Sequence, residues 1–392
     1  MEAKLGIVAV AFAVTFVLTP VVRRFAEARG AVVAPDERRI HTVPTATIGG
    51  VAMIVAFLVA MVVAWRLDTF SAVFTSSAPA GVALAAVLIF SVGLVDDLRE
   101  LSAPARVAGM VLAGSVLSIA GVSILYFRIP FYELVVLTND LSTLLTVLWV
   151  VGMVNAVNLI DGLDGLATGI LAIASGAFFL YSERLADAGV IGADNIGPLL
   201  ALITLGICLG FLPHNFNPAR IFMGDGGALL LGLLMAASTI AVGGSQNTPF
   251  SGQVFFFFAP LFIPLFILGV PILDTLFAII RRASRRSGVA TADKDHLHHR
   301  LMRLGHGQRR AVVILWAWTA VLSGLVLYPA YTGRGDAVVP LGVAALGFAL
   351  YIFFHPGLRR GGPEAAAPVE DGVDGGGDVA LEGESAPNGA DE

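Results

Sequence analysis

Long apolar runs alternate with short polar loops along most of this chain. Eleven runs can be marked, near 5–22, 48–65, 78–95, 106–125, 142–160, 163–181, 196–213, 227–243, 254–280, 311–328 and 338–355. Each comes close to the ~20 apolar residues that a helix needs to cross a bilayer. Several hold Gly or Pro, as membrane helices often do. The pattern predicts an all-α, polytopic integral membrane protein with about eleven transmembrane helices. The first run has no marked basic stretch before it and no clear small-residue cleavage site after it, so it reads as a retained helix. No internal repeat is visible.

Composition sharpens this picture. Of 392 residues 57% are hydrophobic and 14% are charged, where a soluble domain carries roughly 25% charge. The single cysteine, Cys208, lies inside an apolar run, which rules out an intramolecular disulfide or a Cys-based metal site. The net charge of -5 is unevenly spread. Residues 361–392 hold nine acids and no Lys or Arg, so the rest of the chain carries 24 basic and 20 acidic residues. That acidic, Gly-, Ala- and Pro-rich tail cannot bury a core. The expected organisation is a membrane-embedded domain over 1–356 and a disordered tail over 357–392. Nucleic acid is not an expected partner; a homodimer is left open.

Basic residues set the expected orientation, because cytoplasmic loops are enriched in Lys and Arg. With the N-terminus outside, the inner loops collect 19 of the 24 basic residues, and Lys4, Arg66, Arg128, Arg184 and Arg334 remain outside. An odd helix count then leaves the C-terminus in the cytoplasm. The same arrangement puts every cluster of acids and histidines on the cytoplasmic side, although none of them entered the count. Ionisable groups beside hydrocarbon are costly and usually functional.

The clusters differ in sharpness. Asp96 and Asp97 close the third run. Two adjacent acids repel, and they suit a cation or a proton-transfer role as well as a solvated helix end. In Asn155-Ala156-Val157-Asn158-Leu159-Ile160-Asp161-Gly162-Leu163-Asp164-Gly165 the polar groups recur every third residue. Neighbours at that spacing share a helix face, and the glycines make a turn with close backbone approach. Amides and carboxylates at a helix break suit a hydrated Mg²⁺ with a ribose or phosphate. In Phe222-Met223-Gly224-Asp225-Gly226-Gly227 the acid stands where a helix begins. It reads as an N-cap or as a metal ligand beside phosphate-binding N–H groups.

The longest inner loop carries Asp295-His296-Leu297-His298-His299-Arg300. His296, His298 and His299 lack the i, i+4 spacing of a helical zinc site. Beside Arg300 and the Arg281–Arg286 run they suit a phosphate or diphosphate. Asp274 lies near Arg281, and His41 with Gly49-Gly50 marks a second inner loop.

Taken in order, Asp96-Asp97 with Leu101-Ser102, Asn155 to Ala167, Phe222-Met223-Gly224-Asp225, and His296-Leu297-His298-His299-Arg300-Leu301 resemble the signatures of the polyprenyl-phosphate N-acetylhexosamine-1-phosphate transferases, glycosyltransferase family 4. The similarity is strongest to the WecA/TagO-like branch, because Leu297 interrupts what is a contiguous His triplet in phospho-MurNAc-pentapeptide transferases. The motifs span residues 35 to about 310. The resemblance implies eleven helices, Mg²⁺ (Mn²⁺ as a substitute), UDP-GlcNAc as donor and a polyprenyl phosphate as acceptor, in a bacterial plasma membrane.

The resemblance also implies roles. Asp225 becomes the principal metal ligand, with Asp97 and Asn158 beside it. Asp96, Asp97, Asp161, Asp164 and His298 become catalytic. His296, His298 and His299 match the family's phosphate or sugar contact loop, and the residue reading adds Asn155, Asn158, Arg281, Arg300 and His41 as candidates for substrate contact. The chain departs from its relatives at Thr45-Ala46-Thr47-Ile48, at Arg106 where Lys is common, and at Met110 where Gln is common.

The expected reaction transfers GlcNAc 1-phosphate to the lipid phosphate and releases UMP. The division of labour between Asp96 and Asp97, and direct transfer against a covalent aspartyl intermediate, stay open. The rival donors are UDP-MurNAc-pentapeptide and other UDP-HexNAc. A rival of another class, an ion-coupled transporter, predicts acids at mid-membrane depth rather than at helix ends.

Overall fold

The computed structural model describes residues 1–30, 32–33, 45–128, 134–243, 307–332 and 342. The expected helix at 254–280, the run at 338–355 and the acidic tail lie outside them.

Nine of the expected apolar runs are α-helices: α1 (Glu2–Arg29), α2 (Gly50–Trp65), α3 (Ala78–Arg99), α4 (Ala103–Ile119), α5 (Asn139–Ile160), α6 (Leu166–Asp187), α7 (Gly197–Asn215), α8 (Gly224–Gly243) and α9 (Gln308–Thr332). Seven of them are long and apolar enough to cross a membrane. α2 continues into a 3₁₀ segment, Asp68–Thr75, bent away by 103°, and α4 is a shorter apolar helix. The chain is thus a polytopic helical membrane protein. The only strands among the described residues are two short antiparallel pairs, β1 (Val32–Val33) with β2 (Thr45–Ala46) and β3 (Tyr126–Arg128) with β4 (Leu134–Val136).

α8 is the axis of the bundle. Every residue from Gly226 to Val242 is buried, and α2, α3, α5 and α7 pack around it. In lipid there is no hydrophobic gain in bringing apolar helices together, so close van der Waals fit must do it, and small residues permit that fit. Gly226, Gly227, Ala228, Gly232, Ala236 and Ala237 supply it here. Outside this layer α1 packs on α7 and α2, and α6 packs between α7 and α9. The helix faces turned outward, such as Phe12, Phe16, Val17 and Val21 of α1, stay apolar and exposed, as a lipid-facing surface must.

From α1 to α8 successive helices alternate in direction, and α9 runs parallel to α8, so the helix ends sort into two sets. One end of the bundle collects the α3–α4, α5–α6 and α7–α8 turns with the start of α2 and of α9. At the other, Arg184 of α6 donates to the Ala330 carbonyl of α9, Asn195 donates to the Ala241 carbonyl of α8, and Lys4 of α1 pairs with Glu183 of α6.

Candidate active site

All of the acids singled out in the sequence, where described, lie at the first of these two ends. α3 brings two of them. Asp96 is buried, 7% exposed. Its Oδ1 accepts the Leu101 N–H at 2.5 Å. Its Oδ2 faces Nη1 of Arg106 at 3.1 Å. The turn between α3 and α4 makes this pairing: Glu100 takes a left-handed backbone, φ 45, and α4 doubles back so that Arg106 in its first turn overlies Asp96. A carboxylate this buried needs a partner of opposite charge, and the guanidinium provides it.

Asp97 turns the other way, toward α8. Its Oδ1 accepts the Asp225 N–H at 2.8 Å and its Oδ2 accepts the Gly226 N–H at 3.0 Å. These are N–H groups of the first turn of α8, which have no partner within their own helix. Asp225 is therefore not the N-cap that its position suggested; it is the second residue of α8. Its own carboxylate is partly exposed, with Oδ2 3.6 Å from Nη1 of Arg106. One guanidinium thus serves two carboxylates.

The α5–α6 break supplies the next group. α5 ends at Ile160, Asp161 is its C-cap, and Gly165 turns the chain at φ 77 before α6 begins. The helix break foreseen from the glycines is there, but the four polar residues do not form one row. Asn155 turns toward α4: its Nδ2 donates to the Val151 carbonyl of its own helix at 2.8 Å and contacts Sδ of Met110 on α4 at 3.2 Å. Asn158 shares a face with Val154, one helical turn back, and Val154 is the residue against which Gly232 of α8 packs. Asn158 thus lies on the side of α5 that faces α8. Asp161 keeps some contact with solvent yet is densely surrounded. Loss of hydration first, then the charges of Asp225, Asp97 and Asp164, push its carboxyl well above the usual carboxylate range.

Asp164 is buried, 2% exposed, and is tied into the α7–α8 loop. Its Oδ2 accepts from Asn217 Nδ2 at 2.9 Å and from the Ala219 N–H at 3.0 Å. Asn217 also donates to Oε1 of Gln308 at 2.7 Å, and its carbonyl accepts from Nε of Arg309 at 2.9 Å. The start of α9 is thereby fastened to the same loop. Asn215 fixes the loop from within: its Oδ1 accepts the Gly165 N–H and the Thr168 hydroxyl, and its Nδ2 donates to the Ile221 carbonyl.

The segment leading into α2 completes the floor. The Phe222 N–H donates to the Ala46 carbonyl, and the Gly49 and Gly50 N–H groups donate to the Phe222 and Met223 carbonyls. Residues 45–50 and 221–223 are stitched together through their backbones.

The structure therefore gathers Asp96, Asp97, Asp161 and Asp225, and gives Asp164 and Asn155 partners in neighbouring elements. His41, Arg281, His296, His298, His299 and Arg300 lie outside the described residues. Arg106, Asn215, Asn217 and Gln308 were not among the expected site residues. The one available signal was Arg106, a lone cation opening an apolar helix just after two acids.

Among the described residues no three His, Cys, Asp or Glu side chains form a ready-made metal cage. Mg²⁺ rarely uses one; it keeps several waters and takes one or two carboxylates plus substrate phosphates. Asp225 and Asp161 are hard oxygen donors at a site where loss of hydration first, and neighbouring acids second, disfavour an uncompensated carboxylate. That donor set fits Mg²⁺.

With the geometry in view, comparison with known proteins defines the class. The model of the family described as glycosyl transferase family 4 matches residues 79–243, from α3 through α8. A decaprenyl-phosphate N-acetylglucosaminephosphotransferase of Mycolicibacterium smegmatis is 38% identical over 91% of this chain and 89% of its own length. The chain belongs to glycosyl transferase family 4, in its WecA/TagO-like branch. A probable undecaprenyl-phosphate N-acetylglucosaminyl 1-phosphate transferase of Bacillus subtilis is 34% identical over 76% of this chain and 77% of its own. A phospho-N-acetylmuramoyl-pentapeptide-transferase of Staphylococcus aureus is 30% identical, over 41% of this chain and 43% of its own.

Proposed function

We propose that the protein transfers N-acetylglucosamine 1-phosphate from UDP-GlcNAc to a polyprenyl phosphate, giving polyprenyl-diphospho-GlcNAc and UMP. The carrying observation is that Asp225, Asp96 and Arg106 meet at one end of the helical bundle, inside a chain whose relatives over nine-tenths of its length are named for this transfer. The product would start a cell-wall or surface polysaccharide.

The acceptor phosphate oxygen attacks the sugar-bearing phosphorus in line, and the bond to the UMP oxygen breaks. No proton has to be removed first if the lipid phosphate, with a second pKa of about 6, is already ionised. When bound, Mg²⁺ would neutralise the diphosphate and the charge that builds up on the leaving group. Asp225 would hold it, with Asn158 and Asp161 in reach of its waters. Arg106 sits at the mouth of the site, with Asp96 keeping its fork in place, and so presents a fixed cation to incoming phosphate. The buried Asp164–Asn217 pair holds the loops in register. His296, His298 and His299 would contact phosphate or sugar, as the resemblance implies, with Arg281 and Arg300 beside them in the sequence suited to the same phosphate.

The bundle end that carries this site also carries Arg23, Arg24, Arg29, Arg99, Arg106, Arg220, Arg309 and Arg310, whereas Lys4, Arg66, Arg128 and Arg184 lie toward the other. That bias supports a cytoplasm-facing site, where the nucleotide sugar is made available.

The donor is tested by incubating purified protein and a polyprenyl phosphate with UDP-GlcNAc or with UDP-MurNAc-pentapeptide and identifying the lipid product by mass spectrometry. The expected product carries GlcNAc with a diphosphate. A muramoyl product alone would assign the other donor, and substrate uptake into vesicles without UMP would support the transporter instead.

A further inference from the structure

The two adjacent acids of α3 differ in what they touch, and the difference assigns them different work. This inference rests on the transfer reading above. We infer that Asp97 is a positioning residue, neither a metal ligand nor a base: it caps α8 from a neighbouring helix and so fixes where the Asp225 carboxylate stands.

Three observations carry it. First, each oxygen of Asp97 accepts one N–H, from Asp225 and Gly226 in succession, at 2.8 and 3.0 Å. This is the geometry an N-cap side chain offers within its own chain, here supplied across two helices. A charged acceptor at a helix N-terminus also meets the positive end of the helix dipole. Secondly, Met223, which stands just before α8 and whose carbonyl accepts the Gly227 N–H, and Gly224, which opens the helix, have no side-chain oxygen to cap with, and Asp97 supplies one from α3. Thirdly, α3 and α8 meet closely enough to hold the arrangement. A Cβ added to Gly93, one turn before Asp97, would stand 2.6 Å from the Asp225 carbonyl carbon and from Gly226 Cα. Backbone contact at that level leaves the N-terminus of α8 no freedom to shift relative to α3. Asp96, by contrast, meets Arg106 and the Leu101 N–H and touches Asp225 only through its side chain, not through the backbone of α8.

The consequence is a division of labour. Asp96 orients the cation of the site through Arg106. Asp97 orients the anion of the site through the backbone of Asp225. An Asp–Asp pair is required because the two side chains leave α3 about 100° apart, one toward α4 and one toward α8.

The test exploits the fact that Asn keeps one of the two acceptor oxygens, enough to cap one N–H, but carries no charge for a metal or a proton. Full-length wild type, Asp97→Asn, Asp97→Ala and Asp225→Asn are purified in detergent. Melting in EDTA is expected to fall by about 2–4 °C in Asp97→Ala, with Asp97→Asn melting higher than Asp97→Ala and Asp225→Asn close to wild type. UMP release should fall in the order wild type, Asp97→Asn, Asp97→Ala through kcat, at little-changed KM for UDP-GlcNAc. Mn²⁺ affinity, read by electron paramagnetic resonance with UDP-GlcNAc present, should stay within about tenfold of wild type in Asp97→Asn and drop by more than a hundredfold in Asp225→Asn. Asp97→Asn and Asp97→Ala equally inactive, with Mn²⁺ lost as in Asp225→Asn, would make Asp97 a ligand and overturn the inference. If wild type neither holds Mn²⁺ nor releases UMP, the transfer reading falls instead. The cap is then judged on the EDTA melts, where Asp97→Asn melting no higher than Asp97→Ala sinks it.

Discussion

Nη1 of Arg106 lies 3.1 Å from Oδ2 of Asp96 and 3.6 Å from Oδ2 of Asp225. This single guanidinium joins α3, α4 and α8 at the end of the bundle where the acids collect. The pair with Asp96 is half-sheltered, since the carboxylate is buried and the guanidinium about one-third exposed. The contact is therefore stronger than a surface ion pair, and its loss leaves a buried charge without its counter-ion.

Arg106→Ala is expected to cut UMP release by on the order of a hundredfold, the scale of losing a fixed charge that stabilises a transferring phosphoryl group. Arg106→Lys keeps the charge but loses the fork, so a loss within about tenfold is expected. Steady-state kinetics with UDP-GlcNAc checks both. An Arg106→Ala enzyme as fast as wild type would remove Arg106 from the site.

Asn217 ties Asp164, Gln308 and Arg309 into one network. Asn217→Ala leaves the buried Asp164 one donor short, at a cost of about 1–3 kcal/mol. A lower melting temperature is expected, with KM for the donor rising as the start of α9 loosens. Unchanged melting would show that the network contributes little.

The raised Asp161 carboxyl carries a sign for stability. An acid whose folded-state pKa is raised holds its proton in the fold after the unfolded chain has released its own. Between about pH 4 and the raised value, the folded state binds more protons, and stability falls as pH rises. In EDTA the contribution of this group to the melting temperature should therefore decline as pH rises above about 4. Asp161→Asn should flatten that dependence and raise melting at neutral pH while reducing turnover, a stability gain at the expense of function. Identical pH dependence in Asp161→Asn and wild type would contradict the assignment.

Much of the architecture is legible in the chain itself. Apolar length marks the nine described helices, because a membrane helix must satisfy its backbone internally and be apolar outside. Gly162 and Gly165 mark the α5–α6 turn for the same local reason. The site is legible only in part. The acids stand out by their cost beside hydrocarbon, yet their partners are distant in sequence. Asp97 reaches Asp225 and Gly226 through backbone N–H groups, which leave no trace in residue type. Residues 45–50 bind 221–223 the same way. The three-residue period from Asn155 to Asp164 speaks only for neighbours in the series, since the helix ends between Asn158 and Asp164 and the two halves turn to different neighbours. Asn217 lay unremarked in a loop because an amide gains meaning only from what packs against it.

The most direct test of the whole account is UMP release by purified wild type and Asp225→Asn, given UDP-GlcNAc, a polyprenyl phosphate and Mg²⁺. The account predicts release by wild type that needs the lipid phosphate and stops in EDTA. It predicts a loss on the order of a thousandfold in Asp225→Asn at an unchanged melting temperature. Turnover by Asp225→Asn comparable to wild type at the same Mg²⁺ concentration would contradict it.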